Sequence, residues 1–300
     1  MIVESKAYAK VNLHLEVLNR RHDGYHNIFS LMASVGVFDL LQLRNITLSR
    51  AGTAISVDVI PAGGAFGELM HEIPPEDNLI RKAAVAYLNG INRSADVVIS
   101  VEKNIPAGAG LGGGSSDAAA VLRLLNGYFK EKSEKELLNI AATIGADVPF
   151  CLTGGFAFCE GIGDRIEGFN AGLNHWVVIA CSDVRVDTAE AYRSLNRSRR
   201  RRERDSLLEE KRERMRAGVQ SGDLRSLRSL MRNDFEEMIC SRYPAIRKAR
   251  ELILACNPDF AVMTGSGSGV VGLFHERTLA EQAERRLREE SHTVFFTKFL

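Results

Sequence analysis

The stretch PAGAGLGGGSSDAAA, residues 106–120, places five glycines in nine positions directly before a segment with helical character. Glycine loses more conformational freedom on folding than any other residue, so such a cluster needs a compensating reason. A run of glycines leaves backbone N–H groups unobstructed, and the helix that follows adds the positive end of its dipole. The stretch therefore predicts a cradle for a phosphate group.

Two known phosphate-binding loops match this cluster only in part. A Walker A loop needs a lysine followed by serine or threonine, and no lysine follows these glycines. The dinucleotide fingerprint GxGxxG is matched by Gly108, Gly110 and Gly113, but no strand ending in an acidic residue follows about twenty residues later. A tight turn beside a packed helix would explain one glycine, but not five glycines with two serines.

The composition is that of an ordinary globular protein. The chain has 300 residues, of which 45% are hydrophobic and 26% charged, and its formal net charge is +1. This length makes two domains the default, and the charge gives no reason to expect a nucleic-acid partner. Five cysteines without a CxxC pair argue against a disulfide framework and against a zinc site.

The sequence also carries signals about where the protein acts. No apolar run approaches the roughly 18 residues needed to cross a bilayer. The N-terminal residues MIVESKAYAKVNL lack the basic-then-apolar order of a signal peptide. We therefore expect a cytoplasmic protein without a membrane partner.

Hydrophobic periodicity, with glycine and proline as breaks, predicts strands and helices along the whole chain. Ser133 and Glu136 have the spacing of a helix capping box. Strands are expected at 2–18 with one buried face, and at 30–48, 54–60, 95–106, 154–168 (with a turn), 175–181, 259–263, 269–274 and 293–299. Helices are expected at 76–90, 115–128, 133–145, 223–239, 244–255 and 277–289.

The segment RSLNRSRRRRERDSLLEEKRERMR, residues 193–216, is unusually basic. It has two interpretations: a solvated helix or insertion with its own ion pairs, or a basic arm for RNA or another anionic partner. We favour the first, because no aromatic residues are interleaved on which bases could stack.

Four motifs together resemble the GHMP kinases. They are the glycine stretch at 106–120, AYAKVNLHLEV with HDGYH within 7–26, GADVPF at 145–150 and MTGSGSGVVGLF at 263–274. They stand in the family's order and approximate spacing, and the resemblance covers most of the chain outside roughly 190–230. It implies a two-lobed α+β fold: an N-terminal domain (1–165) like ribosomal protein S5, and a C-terminal domain (166–300) of antiparallel sheet and helices.

The resemblance implies that the glycine stretch binds ATP, accompanied by Mg²⁺. No dedicated metal-binding side chains are visible in the sequence, so Mg²⁺ would arrive with the nucleotide; Ser115 or Ser116 could add a hydroxyl group toward phosphate or metal. The residues implied for ATP are Asn78, Lys103, Pro106, Ala107, Gly108, Ala109, Gly110, Leu111, Gly112, Gly113, Gly114, Ser115 and Ser116.

Two residues are candidates for the chemistry of phosphoryl transfer. From the residues alone, Asp147 could simply order a turn, and Lys10 could lie on the solvent face of its strand. The resemblance implies instead that Asp147 is a general base. It also implies that Lys10 pairs with Asp147, lowers the pKa of the substrate hydroxyl group and offsets developing charge.

The resemblance also implies a substrate that carries a cytidine diphosphate. Tyr25 and His26 would grip the cytosine by stacking and hydrogen bonds, and the other implied contacts are Asn12, Thr188, Tyr192, Gly265 and Ser266. The stretch 181–192 departs from the family, because Ser182, Asp183 and Asp187 stand where many relatives have prolines.

Two alternatives remain beside a kinase for a cytidyl diphosphate alcohol. One is a GHMP kinase for another alcohol, which Tyr25 and His26 disfavour. The other is a nucleotide-binding regulator that has lost catalysis, which Lys10 and Asp147 disfavour. We expect a monomer or weak homodimer, with a small-molecule substrate and no nucleic-acid partner.

Overall fold

The computed structural model describes residues 3–50, 52, 54–195 and 205–300, with the backbone alone for 205 and 206. The strands are β1 (Val3–Arg20), β2 (His26–Leu48), β3 (Ser56–Pro61), β4 (Ala95–Glu102), β5 (Phe156–Gly161), β6 (Arg165–Phe169), β7 (Trp176–Cys181), β8 (Phe260–Met263), β9 (Val270–Phe274) and β10 (Thr293–Lys298). The helices are α1 (Leu79–Gly90), α2 (Gly113–Phe129), α3 (Glu134–Ile144), α4 (Val148–Thr153), α5 (Thr188–Ser194), α6 (Asp205–Ser221), α7 (Glu236–Arg242), α8 (Pro244–Leu254) and α9 (Arg277–Glu289), and a 3-10 helix covers Gly67–Glu72.

The chain divides into two compact units, and the first contains the described part of 1–9, 37–107 and 112–153. Its strand β3 runs parallel to β4, and β4 pairs antiparallel with the second half of β2. Helices α1 to α4 pack on one another. Helix α3 begins with the predicted capping box, in which the Ser133 side chain and Glu136 bond reciprocally to backbone N–H groups.

The second unit contains 10–36, 108–111 and the described part of 154–300. The first half of β2 pairs antiparallel with β5, and β5 with β6. An antiparallel sheet with the order β10–β7–β9–β8 packs against α8 and α9. The predicted α+β class, with an antiparallel C-terminal sheet and helices, is therefore confirmed. The domain boundary after residue 165 stays a prediction.

The helix predicted over 223–239 is wrong in its first half, because α7 begins only at Glu236. Before it, Leu15 of β1 bonds to this segment: its N–H donates to the Arg232 carbonyl at 2.8 Å. The Asn233 side chain donates to the carbonyls of Met263 and Gly265, at 2.6 and 2.8 Å. These long-range bonds keep residues 232 and 233 out of a helix, although local propensity favours one.

Strand β1 was expected to bury one face, but both faces are buried from Lys10 to Val17. The polar side chains of Lys10, Asn12, His14 and Glu16 are at most 4% exposed. A buried polar group costs free energy unless it is hydrogen-bonded. The solvent-facing interpretation of Lys10 is therefore wrong, and the side chains around β1 must supply partners.

In the described part of the basic segment, helix α6 confirms the helix and its own ion pairs, because Arg212 pairs with Glu209 at 3.1 Å and Arg216 with Glu213 at 3.2 Å. The expectation that this helix is simply solvated is wrong. Its Lys211 pairs with the buried Glu16 of β1, and its Arg212 pairs with Glu160 of β5 and, at 3.1 Å, with Glu167 of β6. Apolar side chains of α6 are buried as well, Met215 and Val219 among them. Residues 196–204 of the segment lie outside the described residues, so the predictions for that part remain open.

The pairing of Lys211 with Glu16 predicts a large cost for its loss. Glu16 is 1% exposed and also receives Arg232 at 2.6 Å. We expect Lys211→Gln to lower the free energy of unfolding by about 2–4 kcal/mol, because a buried carboxylate loses one of its cations. Urea unfolding measures this change.

The matched control is Lys248→Gln. Lys248 faces Glu290 at 3.7 Å with both side chains half exposed, so its loss should cost less than about 1 kcal/mol. Equal losses for the two variants would contradict the role assigned to Lys211.

Candidate active site

The glycine stretch leads into α2, which begins two residues earlier than predicted. The residue before the helix, Gly112, has a left-handed backbone with φ 68°. As a glycine it has no side chain that could cap the helix. Uncapped N–H groups at a helix start attract anions. The Ser116 hydroxyl is turned inward and donates to the Gly113 carbonyl at 2.8 Å, whereas Ser115 is only partly buried.

The second glycine cluster forms the connection between β8 and β9 and packs directly on residues 109 and 110. The Gly269 N–H donates to the Ala109 carbonyl at 3.1 Å. A Cβ atom on Gly110, whose φ is +73°, would lie 2.3 Å from the Thr264 carbonyl oxygen. The two main chains therefore lie closer together here than a residue with a Cβ atom at position 110 would permit.

Thr264 connects this cluster to β1, and the sequence analysis did not assign it a role. Its buried hydroxyl accepts the backbone N–H of Asn12 at 2.9 Å and lies 3.2 Å from the Gly110 carbonyl. The only signal in the sequence was its position, directly before the glycine cluster at 265–269.

The side-chain amide of Asn12 has hydrogen-bond partners at both its oxygen and its nitrogen. Its Oδ1 accepts from the Lys10 ammonium at 2.7 Å and from the Gly265 N–H at 3.1 Å. Its Nδ2 donates to the Ser30 hydroxyl at 2.8 Å. The predicted site residues Lys10, Asn12 and Gly265 are thus brought together, and Ser30 is an addition that the sequence analysis missed.

Farther along β1, Glu16 and His14 form a buried pair. The His14 Nδ1 accepts the Arg232 N–H at 3.0 Å, and its Nε2 lies 3.5 Å from the Glu16 carboxylate. Burial lowers the pKa of His14 to about 4, so the ring is neutral near pH 7. Burial would raise the pKa of Glu16, but His14, Lys211 and Arg232 outweigh it and hold that pKa well below its usual range.

Lys103, predicted for ATP, is 7% exposed and lies between two carboxylates. Its ammonium bonds to Asp39 and, at 2.7 Å, to Asp117. Asp39 also accepts the Ile105 N–H at 2.8 Å. Burial would lower the pKa of Lys103, but attraction to the two carboxylates raises it.

The buried environment of Asp117 favours the protonated form of its carboxyl group. Burial raises its pKa to about 7, against the attraction of Lys103. Its Oδ1 is buried without a hydrogen-bond partner among the described residues, which suits a protonated acid. The cluster ties the chain before the glycine stretch (Lys103, Ile105) to the first turns of α2.

Four of the residues predicted to contact the substrate form two contacting pairs. The His26 ring stacks on Tyr192, with centroids 5.2 Å apart, and the Thr188 and Ser266 hydroxyls lie 2.8 Å apart. Tyr25 is 62% exposed, so its ring is available for a ligand. Burial lowers the pKa of His26, which favours the neutral ring.

Two further predicted residues, Asn78 and Asp147, lie directly before the first residues of helices. The Asn78 side chain caps α1 and accepts the Ile80 N–H at 3.0 Å. Asp147 is half-buried and lies in the turn directly before α4. The described residues contain no cluster of three or more His, Cys, Asp or Glu side chains that could hold a metal ion. Nor is any helix in the described ranges long and apolar enough to cross a membrane.

Comparison with known proteins decides the family. The family model for the GHMP kinases N terminal domain matches residues 78–155, and that for GHMP kinases C terminal matches 215–292. A 4-diphosphocytidyl-2-C-methyl-D-erythritol kinase of Desulfitobacterium hafniense (strain Y51) is 37% identical over 98% of this chain and 95% of its own. This chain belongs to the 4-diphosphocytidyl-2-C-methyl-D-erythritol kinase family of GHMP kinases.

Further relatives agree with this assignment to the kinase family. The corresponding protein of Caldicellulosiruptor bescii is 35% identical over 94% of this chain and 93% of its own. A crystal structure of 4-(cytidine 5'-diphospho)-2C-methyl-D-erythritol kinase matches with a TM-score of 0.76 at 30% identity, over 99% of both chains. A homoserine kinase from Cytophaga hutchinsonii (TM-score 0.77, 17% identity, 99% of this chain and 95% of that one) shares the fold. The resemblance found in the sequence is confirmed.

The close approach at Gly110 gives a prediction about the stability of the kinase. Gly108 and Gly110 have nearly equal φ values, +72° and +73°, but a Cβ on Gly108 would meet nothing within 4 Å. We expect Gly108→Ala to cost about 1–2 kcal/mol of unfolding free energy from backbone strain alone. Gly110→Ala adds a clash with the Thr264 carbonyl and should cost about 3 kcal/mol or more. Thermal and urea unfolding of both variants test this, and equal costs would contradict the packing.

The protonation of Asp117 predicts a pH dependence of stability. The folded protein holds this proton up to about pH 7, whereas the unfolded chain releases it near pH 4. The free energy of unfolding should therefore fall as the pH rises through this window, by about 2 kcal/mol between pH 5 and 7.

Asp117→Asn should remove this fall, as urea unfolding at several pH values would show. Asp58→Asn, at an exposed aspartate of β3, should keep it, and an unchanged slope in Asp117→Asn would refute the assignment.

Proposed function

We propose that this kinase transfers the γ-phosphoryl group of ATP to the 2-hydroxyl group of 4-diphosphocytidyl-2-C-methyl-D-erythritol, a step of the non-mevalonate isoprenoid pathway. The observation that carries the proposal is near-full-length similarity, at 37% identity, to a curated kinase of that name. The paired rings of His26 and Tyr192 add support, because a pyrimidine needs a flat aromatic contact beside directional polar groups.

ATP binds through the glycine stretch and the start of α2. Backbone N–H groups of the glycine stretch after Pro106, including those at the uncapped start of α2, hold the phosphates. Asn78 and Lys103 contribute on the adenosine side. The Lys103 ammonium is already paired with Asp39 and Asp117, and its backbone N–H and carbonyl bond to Gly63 and Phe66. Its contribution is therefore through the position of the glycine stretch.

Mg²⁺ accompanies the nucleotide. Mg²⁺ keeps several waters and phosphate ligands and needs few protein groups, which suits a chain without a metal cluster in its described part. Ser115 is the hydroxyl that suits this ion, since Ser116 is bonded to the Gly113 carbonyl. Bound to the phosphates, Mg²⁺ neutralises part of their charge.

Asp147 and Lys10 supply the groups for the reaction at the alcohol. The 2-hydroxyl oxygen attacks the γ-phosphorus, the bond from that phosphorus to the β-bridging oxygen breaks, and ADP leaves. Asp147 accepts the hydroxyl proton, and Lys10 stabilises the negative charge that develops. Lys10 suits this role because its ammonium is buried and held by Asn12.

The cytidine end of the substrate meets Tyr25, His26 and Tyr192. Tyr25 offers an exposed ring, and a neutral His26 can donate one hydrogen bond and accept another. Asn12 and the groups at Thr188, Gly265 and Ser266 complete the polar contacts. The kinase acts in the cytoplasm as a monomer or weak homodimer, without a nucleic-acid partner.

The test combines the purified chain, Mg·ATP and 4-diphosphocytidyl-2-C-methyl-D-erythritol, with ADP release and product mass as readouts. We expect turnover of this substrate, and a loss of about 10²- to 10⁴-fold in kcat for Asp147→Asn. Asp58→Asn, the same change at an exposed aspartate, should keep the wild-type rate.

Two outcomes separate the parts of this proposal. Phosphorylation of mevalonate or homoserine, without turnover of the cytidyl substrate, would overturn the assigned substrate. Full activity of Asp147→Asn would remove the general-base role and leave the substrate assignment in place.

A further inference from the structure

Ser30, in the first half of β2, is a fully buried hydroxyl directly beside Asn12. It is 0% exposed. Its Oγ accepts the Asn12 Nδ2 at 2.8 Å and donates to the His14 carbonyl at 2.7 Å. Ser30 thus joins two residues of β1 that project from the same face.

The directions of these hydrogen bonds are fixed by chemistry. A backbone N–H and an ammonium can only donate, so Gly265 and Lys10 must both face the Asn12 Oδ1. The amide NH₂ therefore faces Ser30. The His14 carbonyl can only accept, so the Ser30 hydroxyl proton points to it and the Ser30 lone pairs receive the amide.

This arrangement admits one orientation of the Asn12 amide. A flipped amide would set its NH₂ against the Lys10 ammonium and the Gly265 N–H, and would leave buried donors unsatisfied. The backbone of Asn12 is fixed as well, by the bond of its N–H to the Thr264 hydroxyl at 2.9 Å. The acceptor that holds the Lys10 ammonium is thus immobile.

We propose that Ser30 is a positioning residue for phosphoryl transfer: it fixes the Asn12 amide, and the amide fixes the Lys10 ammonium. This proposal rests on the role of Lys10 in the proposed function. Ser30 touches no reacting atom, and its effect passes entirely through Asn12.

The first test is kinetic. Ser30→Ala leaves the Asn12 NH₂ without its acceptor, so the amide can turn and Lys10 loses a defined position. We expect kcat to fall about 10- to 100-fold, the range for a misplaced catalytic group, with KM for ATP within about twofold of wild type. Ser30→Thr keeps the hydroxyl and should restore kcat to within about threefold of wild type.

Ser34→Ala is the matched control. Ser34 lies on the same strand, four residues further on, and is also buried. Ser34→Ala also removes a buried hydroxyl group, but it leaves the hydrogen bonds of Asn12 in place. We expect its kcat to stay within about twofold of wild type.

A double-mutant cycle with Asn12→Ala separates positioning from a general structural effect. If Ser30 acts only through Asn12, adding Ser30→Ala to Asn12→Ala should change kcat by less than about threefold. If Ser30→Ala does not fold, Ser30→Cys takes its place, because a thiol of similar size is only a weak acceptor.

Three results would overturn the proposal: wild-type kcat in the Ser30→Ala or Ser30→Cys variant, an undiminished Ser30 effect in the Asn12→Ala background, or an equal loss in Ser34→Ala. Failure of the proposed function shows itself differently, as absence of cytidyl-alcohol turnover by the wild-type chain. In that case the same variants are compared with whichever alcohol the wild type phosphorylates.

Discussion

Burial of the polar face of β1 is the constraint on which the second unit depends. Lys10, Asn12, His14 and Glu16 project from one face of a strand and have almost no access to water. Each unpaired group would cost more than an ordinary hydrogen bond contributes, so each needs a partner from elsewhere in the chain. The partners come from β2, from the loop after β8, from the segment before α7 and from α6. The positions of those four segments therefore depend on the hydrogen bonds and ion pairs that the buried polar face of β1 requires.

Main-chain packing is a second reason for glycine at positions 110 and 265, besides the anion site proposed for the glycine stretch. Gly110 and Gly265 approach so closely that a Cβ on Gly265 would lie 3.0 Å from the Gly110 Cα. The 108–111 segment and the loop after β8 therefore pack main chain against main chain within the second unit. The close approach of the two loops offsets part of the entropic cost of these glycines, and the proposed phosphate binding by open N–H groups would offset more of it.

Local signals predicted the elements whose structure local forces determine. The capping box at Ser133 and the apolar run of β7 are features of neighbouring residues, and both stand where the sequence indicated. The helix expected over 223–239 failed because its first half bonds to Leu15, more than 200 residues away. Likewise, motifs identified Lys10 and Asn12, while Ser30 and Thr264 have no local signature, since their importance lies in what they touch. The role of α6 was hidden because its basic residues serve acids on β1, β5 and β6.

The two buried lysines show why an amide stands at position 12. Lys103 lies between Asp39 and Asp117, and the carboxylate charge beside it compensates its own charge while both carboxyl groups fix its position. Asn12 meets the Lys10 ammonium with a neutral oxygen, so this contact orients the charge and adds no negative charge of its own. A carboxylate at position 12 would hold the ammonium more strongly, but it would weaken the field that Lys10 offers to the developing anion in the proposed reaction. A group that must stabilise charge in the transition state is best positioned by a dipole, and a dipole positions well only when its own orientation is fixed. The hydrogen bonds from Gly265 and to Ser30 meet that requirement for Asn12.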